Sequence, residues 1–518
     1  RQDIPCVQLG GKFVSLKSKT EARQGGSRKK QAEQLLATVV MGMNLVNTAA
    51  PLAVLATAEQ KLSAVPQPVR SEAEPLDYAV LPQLADVVDR AIFARTEAAD
   101  YDGNASVTDM VDGDSQTITA GQSGTVSTMS GGKQNISSGG TGTISTMEGG
   151  SQTISSGGNG TVVTMTSGWQ NIDYGGTGTV STMNSGQQTV KSGGAGTVST
   201  MLGGAQLVES GGTGAVSIMN DGEQNIYSGG SGTVVTMNSG GQYITSGTGT
   251  VSTMSGGMQD ISSGTGTIST MLGGAQLVES GGSGIVSTLS GGTQIIVEQG
   301  SGTVSAMNGG TQMISSGGIG TVSTVSGGMQ EIVSGTGMIS TMNSGMQNIR
   351  AGGTGTVSTL SGGSQSIAGG GTGTVDIMSG GMQDISSGGT GTVNTMSGGG
   401  QRISSGIGTV STMSGGVQLI YSGAAGTVST MNGGVQYVQN GGTALDTVIA
   451  GGTQIVSSGG TSLDTLLNSG GTVYQKSGGM ISSMVYSGGV QIIENITTGY
   501  DGTVSYTHLR AHETLANL

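Results

Sequence analysis

The sequence predicts an all-β fold: an elongated parallel β-solenoid, a right-handed β-helix, with about 21 turns of 17–18 residues. A motif built around one glutamine recurs at steps of 17 or 18 residues from Gln116 to Gln454. Apolar residues keep fixed distances from that glutamine, and glycines divide the unit into short segments. Because so short a unit cannot bury its apolar side chains alone, each unit must stack on its neighbours.

The amino-acid composition excludes several other classes of protein. Glycine supplies 102 of the 518 residues but proline only 6, so a collagen-like triple helix is excluded. Charged residues make up 9% of the chain and apolar residues recur regularly, unlike the pattern of disordered chains. With 18 lysines and arginines and a net charge of −13, no nucleic-acid partner is expected.

Residues 1–58 have the pattern of a leader with a secretory signal peptide. A basic stretch precedes the apolar segment Leu35–Ala58, which ends in the small-x-small sequence of Ala56 and Ala58. We predict cleavage after Ala58; the alternative is a transmembrane anchor, for which the segment is long enough. The single cysteine, Cys6, precedes this segment, so neither disulfides nor cysteine–metal chemistry are expected in the mature chain.

Residues 59–114 are predicted to form a linker and an N-terminal cap. Apolar residues at Leu84, Val87, Val88, Ala91 and Ile92 have the spacing of an amphipathic helix. Because a solenoid needs its first turn covered, this short helical segment is expected to act as the cap.

Residues 115–496 are predicted to form the repeat β-solenoid, with two short strands in each turn. Four steps between glutamines measure 17 residues, and each lacks one glycine of a glycine pair. A deletion inside a strand would turn its side chains to the other face, whereas a glycine turn absorbs the deletion. The strands therefore lie between the glycines, at about Thr125–Met129 and Gln134–Ser137 in one turn.

Three apolar positions of each turn are predicted to form the core. Isoleucine or valine follows each glutamine by two residues, as at Ile136 and Ile154. Valine or isoleucine precedes it by eight, as at Val126, and methionine usually precedes it by five, as at Met129 and Met147. Such restriction to apolar types across many copies indicates burial.

The threonine position represented by Thr128 is also predicted to face inward. Isoleucine replaces it at Ile218 and Ile377, and it shares strand parity with Val126. The inward position of Met129, one residue later, then requires a corner or bulge.

Turns of this kind would pair as parallel strands, and parallel crossovers are normally right-handed. The apolar spacing alternates between 10 and 8 residues from Val126 through Ile136, Ile144 and Ile154. A left-handed hexapeptide helix would repeat every six residues, so the right-handed form is favoured.

The glutamine column, including Gln134, Gln152 and Gln170, permits two interpretations. It could form a ligand-binding strip, but identical stacked amides also hydrogen-bond along a solenoid, and this structural ladder is favoured. The methionine column could suggest metal chemistry, but leucine, valine and isoleucine replace methionine there, so core packing is favoured. No cofactor and no metal site are expected.

No catalytic residues are predicted, and the chain is not expected to be an enzyme. The calcium-binding nonapeptide needs an aspartate where this repeat has Ile261. Polysaccharide hydrolysis needs two nearby carboxylates, whereas Asp260 and Asp384 share a column seven turns apart. Both histidines, His508 and His512, lie outside the repeats.

The later copies, GGTALDTVIAGGTQIVSSGGTSLDTLLNSGG at Gly441–Gly471, resemble the AIDA-type repeat of bacterial autotransporter adhesins. Earlier copies are similar in a more uniform form, and the resemblance covers most of Gln116–Gln491. It implies a passenger domain, displayed at the cell surface or secreted, that mediates adherence, autoaggregation or biofilm formation. The implied partners are host or neighbouring-cell surfaces and the chain itself, and some family members carry sugars on repeat serines and threonines.

The resemblance also implies an outer-membrane translocator barrel, whose strand pattern this sequence lacks. Residues 497–518 do not continue the repeat, so we expect a non-repeat tail that is truncated or artefactual, with the translocator barrel missing from this chain. The alternative functions are a structural surface stalk without receptor binding and, less favoured, a polysaccharide-active β-helix enzyme.

Overall fold

The computed structural model describes residues 98–494, and all of their regular elements are β-strands. The strands pair in parallel and form a β-solenoid of about 22 turns, which confirms the predicted fold class. The predicted cap helix at 84–92, the signal-cleavage residues Ala56 and Ala58, and the tail at 497–518 lie outside the described residues. No helix in the described range is long and apolar enough to span a membrane.

One strand of each turn carries the repeated glutamine, and these strands form what we call the glutamine sheet. A two-residue strand, β1 (Asp100–Tyr101), begins this sheet. Its other separate members are β3 (Ser115–Ile118), β5 (Lys133–Ile136), β7 (Ser151–Ile154), β9 (Trp169–Ile172), β11 (Gln187–Val190), β15 (Gly241–Ile244), β17 (Met258–Ile261), β19 (Ala275–Val278), β21 (Thr293–Ile296), β23 (Thr311–Ser315), β25 (Met329–Val333), β27 (Met346–Arg350), β29 (Ser364–Ile367), β31 (Met382–Ile385), β33 (Gly400–Ile403), β35 (Val417–Ile420), β37 (Val435–Val438), β40 (Thr453–Val456), β43 (Thr472–Gln475) and β46 (Val490–Ile493).

The other strand of each turn is longer and rich in threonine, and these strands form the threonine sheet. Its regular members are β2 (Ser106–Met110), β4 (Ser123–Met129), β6 (Thr141–Met147), β8 (Asn159–Met165), β10 (Thr177–Met183), β14 (Ser231–Met237), β16 (Gly247–Met254), β18 (Gly264–Met271), β20 (Gly282–Leu289), β22 (Ser301–Met307), β24 (Ile319–Val325), β26 (Thr336–Met342), β28 (Thr354–Leu360), β30 (Thr372–Met378), β32 (Gly389–Met396), β34 (Gly406–Met413) and β36 (Ala425–Met431).

A few turns depart from this plan. Two strands continue through both sheets: β12 (Ala195–Val208) and β13 (Thr213–Ile226). In the last turns the threonine-sheet strand is split in two: β38 (Thr443–Leu445) with β39 (Val448–Ile449), β41 (Thr461–Leu463) with β42 (Leu466–Asn468), and β44 (Met480–Ser482) with β45 (Val485–Ser487). The left-handed backbone at Asp446 and Asp464, with φ of 46° and 52°, falls between the two halves.

Equivalent residues of successive turns pair directly, so each column of the sequence is a column of the solenoid. Gln134 pairs with Gln152 in the glutamine sheet, and Val126 pairs with Ile144 in the threonine sheet. The 17-residue step from Gln242 to Gln259 keeps this register. The turn absorbs the missing residue there, as predicted.

The turns between the strands also stack. Gly139 has a φ of 74°, a conformation that favours glycine. Its N–H donates to the carbonyl of Gly157, and the N–H of Gly157 donates to that of Gly175, each at 2.9 Å. The backbone therefore hydrogen-bonds from turn to turn outside the strands as well.

The interior of the solenoid is narrow and filled with side chains. Val126, Met129 and Ile136 are each at most 1% exposed. Gly142, on the threonine sheet, faces Gln134 and Ile136 on the glutamine sheet. A Cβ on Gly142 would lie 2.4 Å from Ile136 Cδ1 and 2.6 Å from Gln134 Oε1. The two sheets therefore approach so closely that this inward position has no room for a side chain.

The predicted inward orientation of the threonine column is wrong. Thr128 is partly exposed, and Ile218 and Ile377 in the same column are 41% and 49% exposed. The register pairs Val126 and Thr128 with the next turn but skips Ser127 between them. Because the chain bends there, the alternation of side chains shifts by one residue, which turns Thr128 outward and Met129 inward.

Candidate interaction surfaces

The glutamine column lies inside the solenoid and forms a hydrogen-bonded ladder. The glutamines from Gln116 to Gln454 are 0% exposed. Gln152 Nε2 donates to Gln134 Oε1 at 2.7 Å, and Gln170 Nε2 donates to Gln152 Oε1 at 2.7 Å. A second, longer contact joins Gln152 Nε2 to the carbonyl oxygen of Gly142 at 3.4 Å. These amides satisfy one another and cannot reach an external ligand.

The hydrogen bonds of the ladder all run in one direction, and the amides at both of its ends have hydrogen-bond partners. Each glutamine Nε2 from Gln134 to Gln454 donates to the glutamine Oε1 of the preceding turn, as between Gln454 and Gln436. At the N-terminal end, Gln116 Nε2 donates to the carbonyl oxygens of Ala105 at 2.9 Å and Asp102 at 3.1 Å. At the other end Val473 replaces glutamine, and the Ser462 hydroxyl donates to Gln454 Oε1 at 3.1 Å. The ladder therefore ends where a hydroxyl group supplies the missing donor.

The methionine and valine columns form a continuous buried cluster beside the ladder. Met129 and Met147 are 0% exposed and pack against the valine column that includes Val126. Ile136 and Ile154 belong to a parallel cluster on the glutamine sheet. These columns pack the interior and leave their thioethers inaccessible to solutes.

The outward side chains of the threonine sheet between Ser123 and Thr430 form a surface that we call the hydroxyl face. Threonine and serine dominate it, as at Thr141, Thr143 and Ser145. Asp376 is its only charged residue in this range, and Asn394 Nδ2 donates to that carboxylate at 2.9 Å. Successive turns repeat the hydroxyl groups at about 4.8 Å. The result is a long, nearly uncharged surface of hydroxyl donors and acceptors, interrupted by exposed apolar side chains such as Val235 and Ile407.

Outward charges lie mainly along the glutamine sheet and its following turn, where they pair between successive turns. Lys191 Nζ lies 2.8 Å from Asp173, and Arg402 Nε lies 2.7 Å from Asp384. The hydrogen bond and charge of Asp173 raise the pKa of Lys191 above its usual value. Exposed pairs of this kind contribute little stability, but they oppose a shift of one turn against the next.

Asp260 is an acidic residue on the outer side of the glutamine sheet. Its Oδ1 atom is buried without a hydrogen-bond partner. Burial raises the pKa of the Asp260 carboxyl, and the charge of Glu279 raises it further. Burial likewise raises the pKa of Tyr243 on the preceding turn, with added effects of Glu223 and Asp260.

Two shallow depressions lie on the surface of the described residues. One of about 440 Å³ is lined by glycines with Asp221, Glu223 and Tyr243. Another of about 180 Å³ lies beside Ile455 and Tyr474 near the last described turn. No group of three histidine, cysteine, aspartate or glutamate residues that could hold a metal ion occurs within residues 98–494. His508 and His512 lie beyond that range.

No family model matches the chain, and no curated protein matches it. Among solved structures, the chain is similar to the crystal structure of a TibC-catalysed hyper-glycosylated TibA fragment. The two are 24% identical, and the alignment covers 77% of this chain and 98% of that one, with a TM-score of 0.17. These similarities assign no family to the chain.

Proposed function

We propose that the chain is the passenger region of a bacterial adhesin, displayed at the cell surface or secreted, and that the hydroxyl face is its contact surface. The observation that carries the proposal is the hydroxyl face itself, long and nearly uncharged on a solenoid with a filled interior. The AIDA-type repeat pattern of Gly441–Gly471 supports the same function. The partners would be host or neighbouring-cell surfaces and other copies of the chain, with an outer-membrane translocator barrel for export.

The chemistry of the hydroxyl face favours hydroxyl-rich partners. Serine and threonine side chains both donate and accept hydrogen bonds, as polysaccharide hydroxyls do. A single such contact is weak, but a rigid array repeats it many times without further ordering cost. Adherence would therefore depend on many turns acting together rather than on one pocket.

A second candidate function is a surface stalk that holds another domain away from the cell. The continuous glutamine ladder favours it, because a stack satisfied from turn to turn is stiff. At about 4.8 Å a turn, about 22 turns would span on the order of 100 Å. A stalk depends on this length and is indifferent to the chemistry of its faces.

Adherence of cells that display the full chain would separate the two functions. The first variant combines Thr354→Glu with Thr372→Lys, which are exposed partners on the hydroxyl face. Its matched control places the same charges at Ser364→Glu and Met382→Lys, partners on the outer side of the glutamine sheet. A third variant deletes residues 301–335, which removes two whole turns.

The adhesin proposal predicts that the hydroxyl-face variant weakens adherence and self-aggregation more than the glutamine-sheet variant or the deletion does, because the new charges interrupt the array in its middle whereas the deletion leaves a continuous, slightly shorter array. A stalk predicts the opposite result: the deletion should change adherence, and neither charge variant should. Full adherence of the hydroxyl-face variant, at equal surface display, would refute the assignment of that face. Turnover of a polysaccharide by the purified chain would instead favour an enzyme.

A further inference from the structure

Three methionines face outward on the glutamine sheet in consecutive turns. Met313 lies in β23, Met329 in β25 and Met346 in β27. Met313 and Met346 are 36% and 40% exposed, and Met329 is partly exposed. The core methionines are fully buried, as at Met307. These three thioethers therefore face solvent and are open to ligands.

The register brings two of these methionines side by side. Met329 and Met346 are direct partners in the parallel ladder, so their Cα atoms lie about 4.8 Å apart. Met313 pairs with Glu331, two residues beyond Met329 on the same strand. One turn and two residues thus separate Met313 from Met329, which corresponds to roughly 8 Å between Cα atoms.

This spacing matches the coordination of a soft metal ion by two thioethers. Methionine sulfur is soft and polarisable, and thioether ligands select Cu(I) among biological metals. With the zinc–thiolate bond of about 2.3 Å as a guide to metal–sulfur bond lengths, two such bonds in line span about 4.6 Å. The Cα atoms of paired residues on adjacent turns are about 4.8 Å apart, so the flexible side chains of Met329 and Met346 can bring both sulfurs to one ion without distortion of the sheet. Met313 lies near enough for its flexible side chain to approach as a third ligand.

The charges around the methionines leave such a site nearly neutral. Glu331 lies two residues beyond Met329 on the same strand, directly beside Met313 of the preceding turn, and pairs with Arg350, with Nη1 to Oε1 at 3.5 Å. The guanidinium charge is therefore offset by a carboxylate, and a monovalent cation is not repelled. Other outward methionines lack a methionine neighbour in register: Met258 pairs with Gly241 and Ala275, and Met382 pairs with Ser364 and Gly400.

We propose that Met329 and Met346, with Met313 beside them, form a surface site for a soft monovalent cation, Cu(I) or its redox-inert counterpart Ag(I). The site is independent of the hydroxyl face, which lies on the other sheet. It involves binding alone, with no change in the oxidation state of the ion or of the sulfurs.

The test is a titration of the full chain with silver nitrate, followed by NMR of ¹³C-labelled methionine methyl groups. All proteins carry Cys6→Ser, because a free thiol would compete for silver. The methyl signals of Met329 and Met346 should shift first and saturate near one equivalent. Signals of the buried methionines should stay unchanged and serve as internal controls. Titration with Cu(I) under anaerobic conditions should move the same signals.

Substitution by leucine keeps the size of the side chain and removes the sulfur. Met346→Leu should weaken silver binding at least about tenfold, and the matched control Met382→Leu should leave it unchanged. The proposal fails if Met346→Leu binds silver as tightly as the parent chain. It also fails if Met258 and Met382 shift in parallel with Met329, because binding would then follow exposure alone.

Discussion

Replacement of Gln312 by leucine would interrupt the buried ladder in its middle. Gln312 Nε2 donates to Gln294 Oε1 at 2.7 Å, and Gln330 Nε2 donates to Gln312 Oε1 at 2.7 Å. Leucine has a similar volume but neither donor nor acceptor. The substitution therefore leaves the Gln294 carbonyl and one Gln330 N–H unpaired in a region closed to water.

The expected cost follows from those two groups. A buried polar group that loses its partner costs about 1–3 kcal/mol, so two cost about 2–6 kcal/mol. The apolar contacts of leucine offset part of this sum. We therefore expect a net loss of about 2 kcal/mol, which corresponds to roughly a 30-fold increase in the population of locally opened turns.

Hydrogen exchange followed by mass spectrometry is the suitable assay. Contacts in a solenoid join neighbouring turns, so a defect can open one region before the whole coil unfolds. Peptides from β21, β23 and β25 should exchange roughly 30-fold faster in Gln312→Leu. Peptides from β5 and β7, many turns away, should change much less.

Thr311→Val is the matched control, because Thr311 precedes Gln312 in the same strand and faces outward. It should leave exchange in β21, β23 and β25 close to that of the parent chain. If Gln312→Leu also exchanges like the parent chain, the ladder makes no net contribution to stability. Unpaired amides would then carry no measurable cost in this interior.

Three further predictions concern packing, orientation and pH. Gly320→Ala should lower stability by about 1–3 kcal/mol in thermal unfolding, because the new Cβ would collide with Ile314 Cδ1. Unchanged stability would mean that the sheets can separate freely. The bend turns Ile377 outward and Met378 inward. In the same measurement, Ile377→Ala should therefore lower the free energy of unfolding by less than about 0.5 kcal/mol, and Met378→Ala should lower it by about 2–5 kcal/mol. Equal losses of stability would contradict the bend. Asp260→Asn should stabilise the chain at pH 7, because burial raises the pKa of this carboxyl in the folded state. The folded parent holds that proton more tightly than the unfolded chain, so its stability falls as the pH rises above about 3.9, the unfolded value, until the raised folded pKa is passed. Unfolding followed from pH 3 to pH 7 should show this fall in the parent and a flatter profile in the variant, and parallel profiles would refute it.

The fold was predictable because alignment of the successive repeats shows which positions are always apolar. Strict isoleucine and valine at positions such as Ile136 and Val126, with deletions confined to glycine turns, identify strands, core and register without coordinates. The handedness stays a prediction. The threonine column was misassigned because strict alternation was carried from Val126 to Thr128 through a bend. Thr128 and Met129 are consecutive residues, and consecutive residues of a strand point to opposite faces. Both could not face inward, so the sequence already indicated that one of them faces outward.

The outward methionine group was missed for a different reason. The methionine column that the sequence predicts is the buried one, whose copies lie five residues before each glutamine. Met329 and Met346 instead precede their glutamines by one residue and are 17 residues apart. That spacing is one turn, so alignment of the repeats by their glutamines would have placed the two sulfurs together. Side-chain exposure, which decides whether they can bind a ligand, needed the structure.

The ladder gives the coil a direction but no preferred length. Each turn presents amide donors toward the preceding turn and acceptors toward the following turn. When a whole turn is removed or added, the turns on either side can therefore pair in the same way as before. The two identical copies at 203–212 and 273–282 show how alike separate segments of the chain can be. Recombination between such copies would change repeat number while it preserves every interface. Length and surface chemistry can therefore evolve separately, which a globular domain with one shared core does not permit.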